Sequence, residues 1–261
     1  MKHTSPYLLE YYKLEKLWDV NMVHRVNNRK RFELYADDPN IHMLEVDIED
    51  TSGLTDDLIL QHGGSGDVPV IWALQQLVRH KKALKIDLKL PKGKKYLSAF
   101  YSHVLNLVRE HWDPRIPLWV NVDTLKGPNW EKSDHECLDA ADFIQLYNTY
   151  YQDNPNAMLS LGYLTSHGKG ALTRPYDFQM LQEMREVIKK VEGSVTIALR
   201  YTNLMADMSF LQEYTKLGYV TIWNSRGDGI SNKQFNQLAK HVQSLDVFKD
   251  LTSLDGKPMW G

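Results

Sequence analysis

Three carboxylates and two histidines stand out by residue type and spacing. Glu45 and Asp47 lie two apart in the apolar segment Leu44-Glu45-Val46-Asp47, so in an extended strand both point to one side. Two carboxylates on one face repel unless water, a cation or basic side chains lie between them. Asp87, in Lys85-Ile86-Asp87-Leu88-Lys89, shares a face with Lys85 and Lys89 by the same alternation. Delivered from adjacent strands, Glu45, Asp47 and Asp87 are hard oxygen ligands that suit Mg2+, with Ca2+ or Mn2+ as alternatives. His24, and His62 in Leu60-Gln61-His62-Gly63-Gly64, then flank the ion as an acid and base pair, and Lys89 neutralises charge on an oxyanion. Taken singly, each feature is ordinary: a strand Glu-x-Asp is usually solvated or salt-bridged, and an acid between two lysines can be an ion-pair ladder. Their succession at the ends of consecutive apolar segments is what points to a site.

Such a site needs strands side by side, and the chain supplies the pattern for them. Short apolar runs rich in β-branched residues fall at 19–23, 41–48, 83–88, 118–122, 158–161, 195–199, 219–222 and 247–251, with a further short strand at 58–61. Stretches with helical spacing separate them. Leu97, Phe100, Tyr101, Val104, Leu105 and Val108 form one stripe, Met180, Leu181, Met184, Val187, Ile188 and Val191 a second, and Phe235, Leu238, Ala239, Val242 and Leu245 a third. Ser231 with Gln234, and Ser133 with Glu136 ahead of Phe143 and Tyr147, have the spacing of capping boxes, worth about 1 kcal/mol each. Eight βα units in 261 residues predict a single (β/α)8 TIM barrel, a fold that takes about 250 residues. An open doubly wound sheet has similar local patterns, but no Gly-rich phosphate loop follows the first strand. In a barrel, chemistry sits at the carboxyl ends of the strands.

Composition narrows the partners. With 43% hydrophobic and 25% charged residues the chain is an ordinary globular protein, and 31 basic against 33 acidic residues leave no positive field to hold duplex nucleic acid. The longest uncharged stretch, 154–168, contains Pro155, Asn156, Ser160 and His167, which excludes a transmembrane segment. Residues 1–18 mix charged with apolar residues and lack the core of a signal peptide; they are expected to be an N-terminal extension packing on a barrel at 19–261. Cys137 is the single cysteine, which excludes an internal disulfide and predicts a cytoplasmic location. The oligomeric state is not set by the sequence.

These residues carry a resemblance. His24 after an apolar strand, Glu45-x-Asp47 on the next, His62 in the following loop and Asp87-x-Lys89 on the third resemble the superfamily of spider sphingomyelinase D and glycerophosphodiester phosphodiesterase. More closely, the chain resembles the menorin family. Residues 24–28, 43–47 and 85–89, Trp119-Val120-Asn121-Val122-Asp123 with Gly127-Pro128-Asn129, Leu159-Ser160-Leu161-Gly162-Tyr163 and Thr221-Ile222-Trp223 are similar to menorin-family segments, from about residue 19 to residue 251. The resemblance implies a TIM barrel of the phospholipase C-like phosphodiesterase type. It implies a Mg2+-dependent phosphodiesterase or phospholipase D-like lyase, acting on a small-molecule, lipid or nucleotide phosphodiester, with a cyclic phosphate as one route. On that pattern Glu45, Asp47 and Asp87 are the metal ligands, His24 and His62 the catalytic pair, Lys89 a phosphate-contacting lysine and Trp223 a tryptophan beside the substrate. The alternative it implies is a catalytically weak menorin-like binding or scaffold protein. The chain departs from the toxins in lacking the cysteines that staple their loops, and its segment between Asp47 and His62 is short and acidic.

Further strand ends add polar groups. Asn121 is expected as a polar contact in the pocket, sharing a face with Asp123, while Asn129 is either a contact or a turn residue. Arg200 contacts a phosphate or pairs with an acid at the rim; Trp223 is a substrate platform or packing. A Schiff base on Lys85 or Lys89 is the weaker reading, because Asp87 stabilises protonated lysine. His42, His80, His103, His111, His135 and His241 are expected to be structural, with His167 an outlying candidate.

Overall fold

The computed structural model describes residues 7–49, 58–95, 98–166, 174–242, 244–253 and 257–259. In chain order its strands are β1 (Met22–Val23), β2 (Met43–Glu49), β3 (Ile59–His62), β4 (Ser65–Pro69), β5 (Ala83–Pro91), β6 (Leu118–Lys126), β7 (His135–Glu136), β8 (Ala157–Leu164), β9 (Ser194–Arg200), β10 (Tyr219–Trp223) and β11 (Val247–Asp250). The helices are α1 (Tyr7–Tyr12), α2 (Arg29–Asp37), α3 (Val70–His80), α4 (Ser98–His111), α5 (Ala140–Tyr151), α6 (Phe178–Ile188), α7 (Tyr201–Ala206), α8 (Ser209–Thr215) and α9 (Asn232–Val242). All eight expected strands pair in parallel, in the order β1-β2-β5-β6-β8-β9-β10-β11, and alternate with helices as a nearly closed (β/α)8 barrel. The expected strand at 58–61 is β3, which forms an antiparallel hairpin with β4 around Gly63 and Gly64, whose φ values of 60° and 71° place both in the left-handed region that favours glycine.

Alternation along each strand divides two cores. Leu44, Val46 and Ile48 of β2, Leu84, Ile86 and Leu88 of β5 and Val120 and Val122 of β6 point outward and join the helix stripes in one large apolar cluster. Phe100, Tyr101, Val104, Leu105 and Val108 of α4, Leu181, Met184, Val187 and Ile188 of α6, and Phe235, Leu238 and Val242 of α9 are the buried faces expected from helical spacing; Leu97 lies outside the described residues. Each such side chain contributes about 1.5–3 kcal/mol through burial. A second cluster, Met22, Met43, Ala83, Trp119, Met158, Tyr219 and Phe248, fills the amino-terminal end of the lumen and is closed by Leu8, Leu9, Leu17 and Val20. The lumen therefore has an apolar floor, and its polar residues lie toward the strands' carboxyl ends.

Local details differ from expectation in two places. The first strand is shorter than 19–23, because Leu17–Asp19 form a 3-10 turn and the carbonyls of Trp18 and Val20 accept from Lys249 Nζ instead of joining a ladder. Ser133 and Glu136 do not cap a helix: Ser133 Oγ accepts from the His135 amide at 3.1 Å, and Glu136 Oε1 accepts from the Gly93 amide at 3.1 Å. β5 runs on to Pro91 and captures this segment as β7, so α5 starts later, capped by Asp139, which accepts from the amides of Ala141 and Asp142. Ser231 and Gln234 do form the reciprocal box ahead of α9, at 2.9 and 3.3 Å. Among the described residues no helix is long and apolar enough to cross a membrane.

Candidate functional site

Register places the acids. β2 and β5 pair with Glu45 beside Lys85 and Asp47 beside Asp87; β5 and β6 pair with Asp87 beside Asn121, and β6 and β8 with Asn121 beside Ser160. Residues abreast in a parallel sheet share a face, so one row of polar side chains crosses the lumen wall. Glu45, Asp47 and Asp87 each present an oxygen within 4.8 Å of the others, and all three are buried. Asp47 and Asp87 line a cavity of about 700 Å³ at the carboxyl ends of the strands, where His24, His62, Lys89, Asn121, Arg200 and Trp223 are also found, and Glu45 lies buried behind them.

Each acid is oriented by its neighbours. Glu45 Oε2 lies 2.6 Å from His24 Nδ1 and accepts from the Arg25 amide at 2.8 Å, a contact made where Arg25 adopts φ 54°. Asp47 Oδ2 accepts from Asn27 Nδ2 at 2.7 Å, Asn27 Oδ1 accepts in turn from the Asp47 amide, and Asp47 Oδ1 is 3.1 Å from His62 Nδ1. Asp87 holds Lys89 Nζ at 2.8 Å and accepts from Asn121 Nδ2 at 2.8 Å, while Asn121 Oδ1 accepts from Ser160 Oγ at 2.5 Å. Asn121 thus donates to Asp87 and is itself oriented by Ser160. Lys89 Nζ also reaches Asp123 at 3.4 Å.

Electrostatics follow from burial and pairing. Burial alone works against the His24 imidazolium, but Glu45 and Asp250 outweigh it and raise the ring's pKa to about 10. Burial pushes the Glu45 carboxyl above the usual carboxylate range against the pull of His24, and Asp47 adds to the push. Burial works the same way on Asp87, yet Lys89 and Lys85 reverse it and hold that carboxyl at about 2. Lys89 stays protonated well above the ordinary lysine range, because Asp123 and Asp87 overcome its burial.

The residues fit a divalent cation on two observations. Glu45 Oε1 is buried with no hydrogen-bond partner among the described residues, and burial raises the pKa of its carboxyl even with His24 held at the other oxygen. The donors of the triad are three hard oxygens, the set that Mg2+ takes alongside water and substrate oxygens.

The other expected residues sit around this triad. Trp223 lies parallel to His24, ring centroids 6.3 Å apart and planes within 10°. Arg200 is clamped by both oxygens of Asp228 at 2.9 and 3.1 Å and by Ser225 Oγ at 2.9 Å, with its guanidinium 5.2 Å from the Trp223 ring; the rim-acid partner is the one observed. His167 and residues 50–57 of the acidic segment lie outside the described residues.

Four residues were not legible as site residues. Asp250, at the end of the last strand, contacts His24 at 3.2 Å and Lys85 at 3.1 Å. Asn27 orients Asp47, and Glu49, one further step along the β2 face, meets His62 and His135. His135, expected to be structural, lines the cavity, because β7 folds back onto β5 instead of entering a helix. Only the even spacing of Glu45, Asp47 and Glu49 could have flagged one of them.

Comparison with known proteins decides the family. The profile of the Menorin N-terminal domain matches residues 16–254. The chain belongs to the menorin family. Protein FAM151B from Homo sapiens is 23% identical to this menorin-family chain over 181 residues, which cover 68% of the chain and 61% of the human protein, less than two thirds of that relative's length. Among solved structures, a Galdieria sulphuraria protein assigned as a glycerophosphodiester phosphodiesterase matches with TM-score 0.53 at 14% identity, over 91% of this chain and 96% of that one. An HpcH/HpaI aldolase/citrate lyase family protein from Burkholderia cenocepacia J2315 matches with TM-score 0.50 at 7% identity, over 96% and 93% of the two chains. At such identities the likeness shows the fold, a TIM barrel shared by phosphodiesterase-like and aldolase-like proteins.

Proposed function

We propose that this menorin-family barrel cleaves phosphodiesters with the help of a divalent cation, Mg2+ first, with Ca2+ or Mn2+ able to replace it. The observation that carries the reading is the convergence of Glu45, Asp47 and Asp87, with a buried oxygen of Glu45 left unpartnered. Those three side chains would hold the ion, which when bound supplies charge stabilisation to a non-bridging phosphate oxygen. Lys89, kept cationic between Asp87 and Asp123, adds a second positive charge beside the same carboxylates. His24 and His62 border the triad through Glu45 and Asp47 respectively, each with Nδ1 turned to its carboxylate, so Nε2 is the atom of each ring that exchanges a proton with substrate. One removes the proton of the attacking hydroxyl, and the other protonates the leaving oxygen. When the attacking hydroxyl belongs to the substrate, the product is a cyclic phosphate and the reaction is that of a lyase. Trp223, stacked on His24, and Arg200, fixed by Asp228, line the wall where the rest of a small, lipid or nucleotide phosphodiester would lie.

The test is turnover of a panel of glycerophosphodiesters, lysolipids, nucleotide phosphodiesters and cyclic phosphates, with Mg2+ and with chelator. Mg2+-dependent turnover of one class, lost in His24→Ala and in Glu45→Ala with the fold retained, is the expected result. Absence of metal-dependent turnover on every class, with partner binding unchanged in both variants, would leave the scaffold reading.

A further inference from the structure

A second set of donors lies beside the triad. Glu49, His62 and His135 each place one ligand atom within 4.8 Å of the other two. Glu49 Oε1 is 3.3 Å from His135 Nε2 and 3.9 Å from His62 Nδ1. A tetrahedral ion with bonds of about 2.1 Å requires donor-to-donor edges of about 3.4 Å, so both separations fall within about half an ångström of such an edge.

Three separate elements fix the donors. Glu49 ends β2, where its Oε1 accepts from the Gly63 amide at 2.6 Å. His62 ends β3, directly before the Gly63–Gly64 turn that presents that amide. His135 opens β7, held by the pairing of β7 with β5 and by Ser133 Oγ. Glu49 is buried, while both imidazoles line the cavity and leave an approach from solvent.

We propose that Glu49, His62 and His135 form a second cation site, which takes a first-row transition ion such as Zn2+ in preference to Mg2+. The donor chemistry separates the two sites: two imidazoles and one carboxylate suit zinc and its neighbours, whereas three carboxylates suit Mg2+. The sites adjoin at Asp47, which belongs to the oxygen triad and whose Oδ1 lies 3.1 Å from His62 Nδ1. Coordination through Nδ1 leaves the His62 Nε2 carrying its proton as a hydrogen-bond donor, so filling this site takes His62 out of the proton exchange proposed above and gives it a positioning role. The inference rests on donor geometry and stands apart from the phosphodiesterase reading.

The experiment is a titration of the chelator-stripped chain with Zn2+ in excess Mg2+, with metal content and the visible absorption of Co2+ as readouts. The expected result is one tightly held Zn2+ per chain, with affinity at least tenfold weaker in His135→Gln and in Glu49→Gln and preserved in Glu45→Gln. Zn2+ addition to the unaltered chain should also shift the imidazole nitrogen resonances of His62 and His135 together, which keeps the test decisive if a variant fails to fold. No Zn2+ retained in excess Mg2+, or Zn2+ retained equally by His135→Gln, overturns the second site and leaves the triad untouched. Failure of the triad shows separately, as the absence of any Mg2+-induced thermal shift.

Discussion

His24 and Asp250 meet across the seam of the barrel, Nδ1 to Oδ2 at 3.2 Å, although they are 226 positions apart in the chain. β1 and β11 are the two ends of the sheet path, and among the described residues no ladder joins them. Side chains do so instead. Asp250 holds His24 and Lys85, and Lys249, the preceding residue, donates to the carbonyls of Trp18 and Val20. Closure of the fold and assembly of the site therefore use the same pair of residues on β11.

Asp250→Asn removes the carboxylate that Lys85 and His24 share. Taking one partner from a buried ion pair costs about 3–5 kcal/mol, because the other charge stays buried. Asn retains one acceptor, so a loss of about 3 kcal/mol in urea unfolding is expected, together with a fall in turnover. An unchanged unfolding midpoint would show that Asp250 does not hold the seam.

Glu45→Gln removes one ligand from the triad. An ion present at a hundred times its dissociation constant adds about 2.7 kcal/mol of stability, which for a domain of this size raises Tm by roughly 5–10 °C. The unaltered chain should show that rise with Mg2+, and Glu45→Gln should show none. An equal rise in both would place the ion elsewhere.

Lys249 gives stability a pH dependence of predictable sign. Burial lowers its pKa from 10.5 to about 8, the nearby Asp19 offsetting this only in part. Between those values the folded chain binds fewer protons than the unfolded chain, so stability rises with pH through the window, and below it the buried charge is a burden of about 3 kcal/mol. Subtracting the curve for Lys249→Met from that of the unaltered chain isolates the term, since buried tyrosines titrate in both. The difference should climb between about pH 8 and pH 10; a flat difference would mean that Lys249 is charged in the fold throughout.

Gly162 faces the Asp123 carboxylate, and a Cβ there would lie 2.2 Å from Asp123 Oδ1. Gly162→Ala must push that carboxylate aside and loosen its hold on Lys89, which then relies on Asp87 alone. The expected result is a small stability loss of about 1 kcal/mol, since the displaced group is the end of a side chain, with a distinctly larger proportional loss of Mg2+-dependent turnover. Turnover falling only in step with the folded fraction would remove Asp123 from any part in positioning Lys89.

The strands and helices were legible because their signals are local. Alternation fixed that Glu45 and Asp47 share a face, and that Asp87 shares one with Lys85 and Lys89, before any neighbour was known. Where a local signal had a long-range competitor it failed: the Ser133–Glu136 spacing is that of a helix cap, yet the carboxyl end of β5, which runs past β2 and β6, captures the segment as β7, and His135 moves from a helix start to the cavity wall.

By itself the sequence determined a chain of eight βα units with acids, a lysine and histidines at successive strand ends, since side-chain alternation and helical spacing depend only on neighbours a few residues away. Tertiary structure alone decided that β2 and β5 pair with Asp47 abreast of Asp87, that Asp250 returns from the far end of the chain to hold His24 and Lys85, and that Asp228 occupies Arg200. Those relationships depend on register and on the curvature that closes the sheet. Both are set by packing summed over the whole barrel, and no short stretch of residues encodes them.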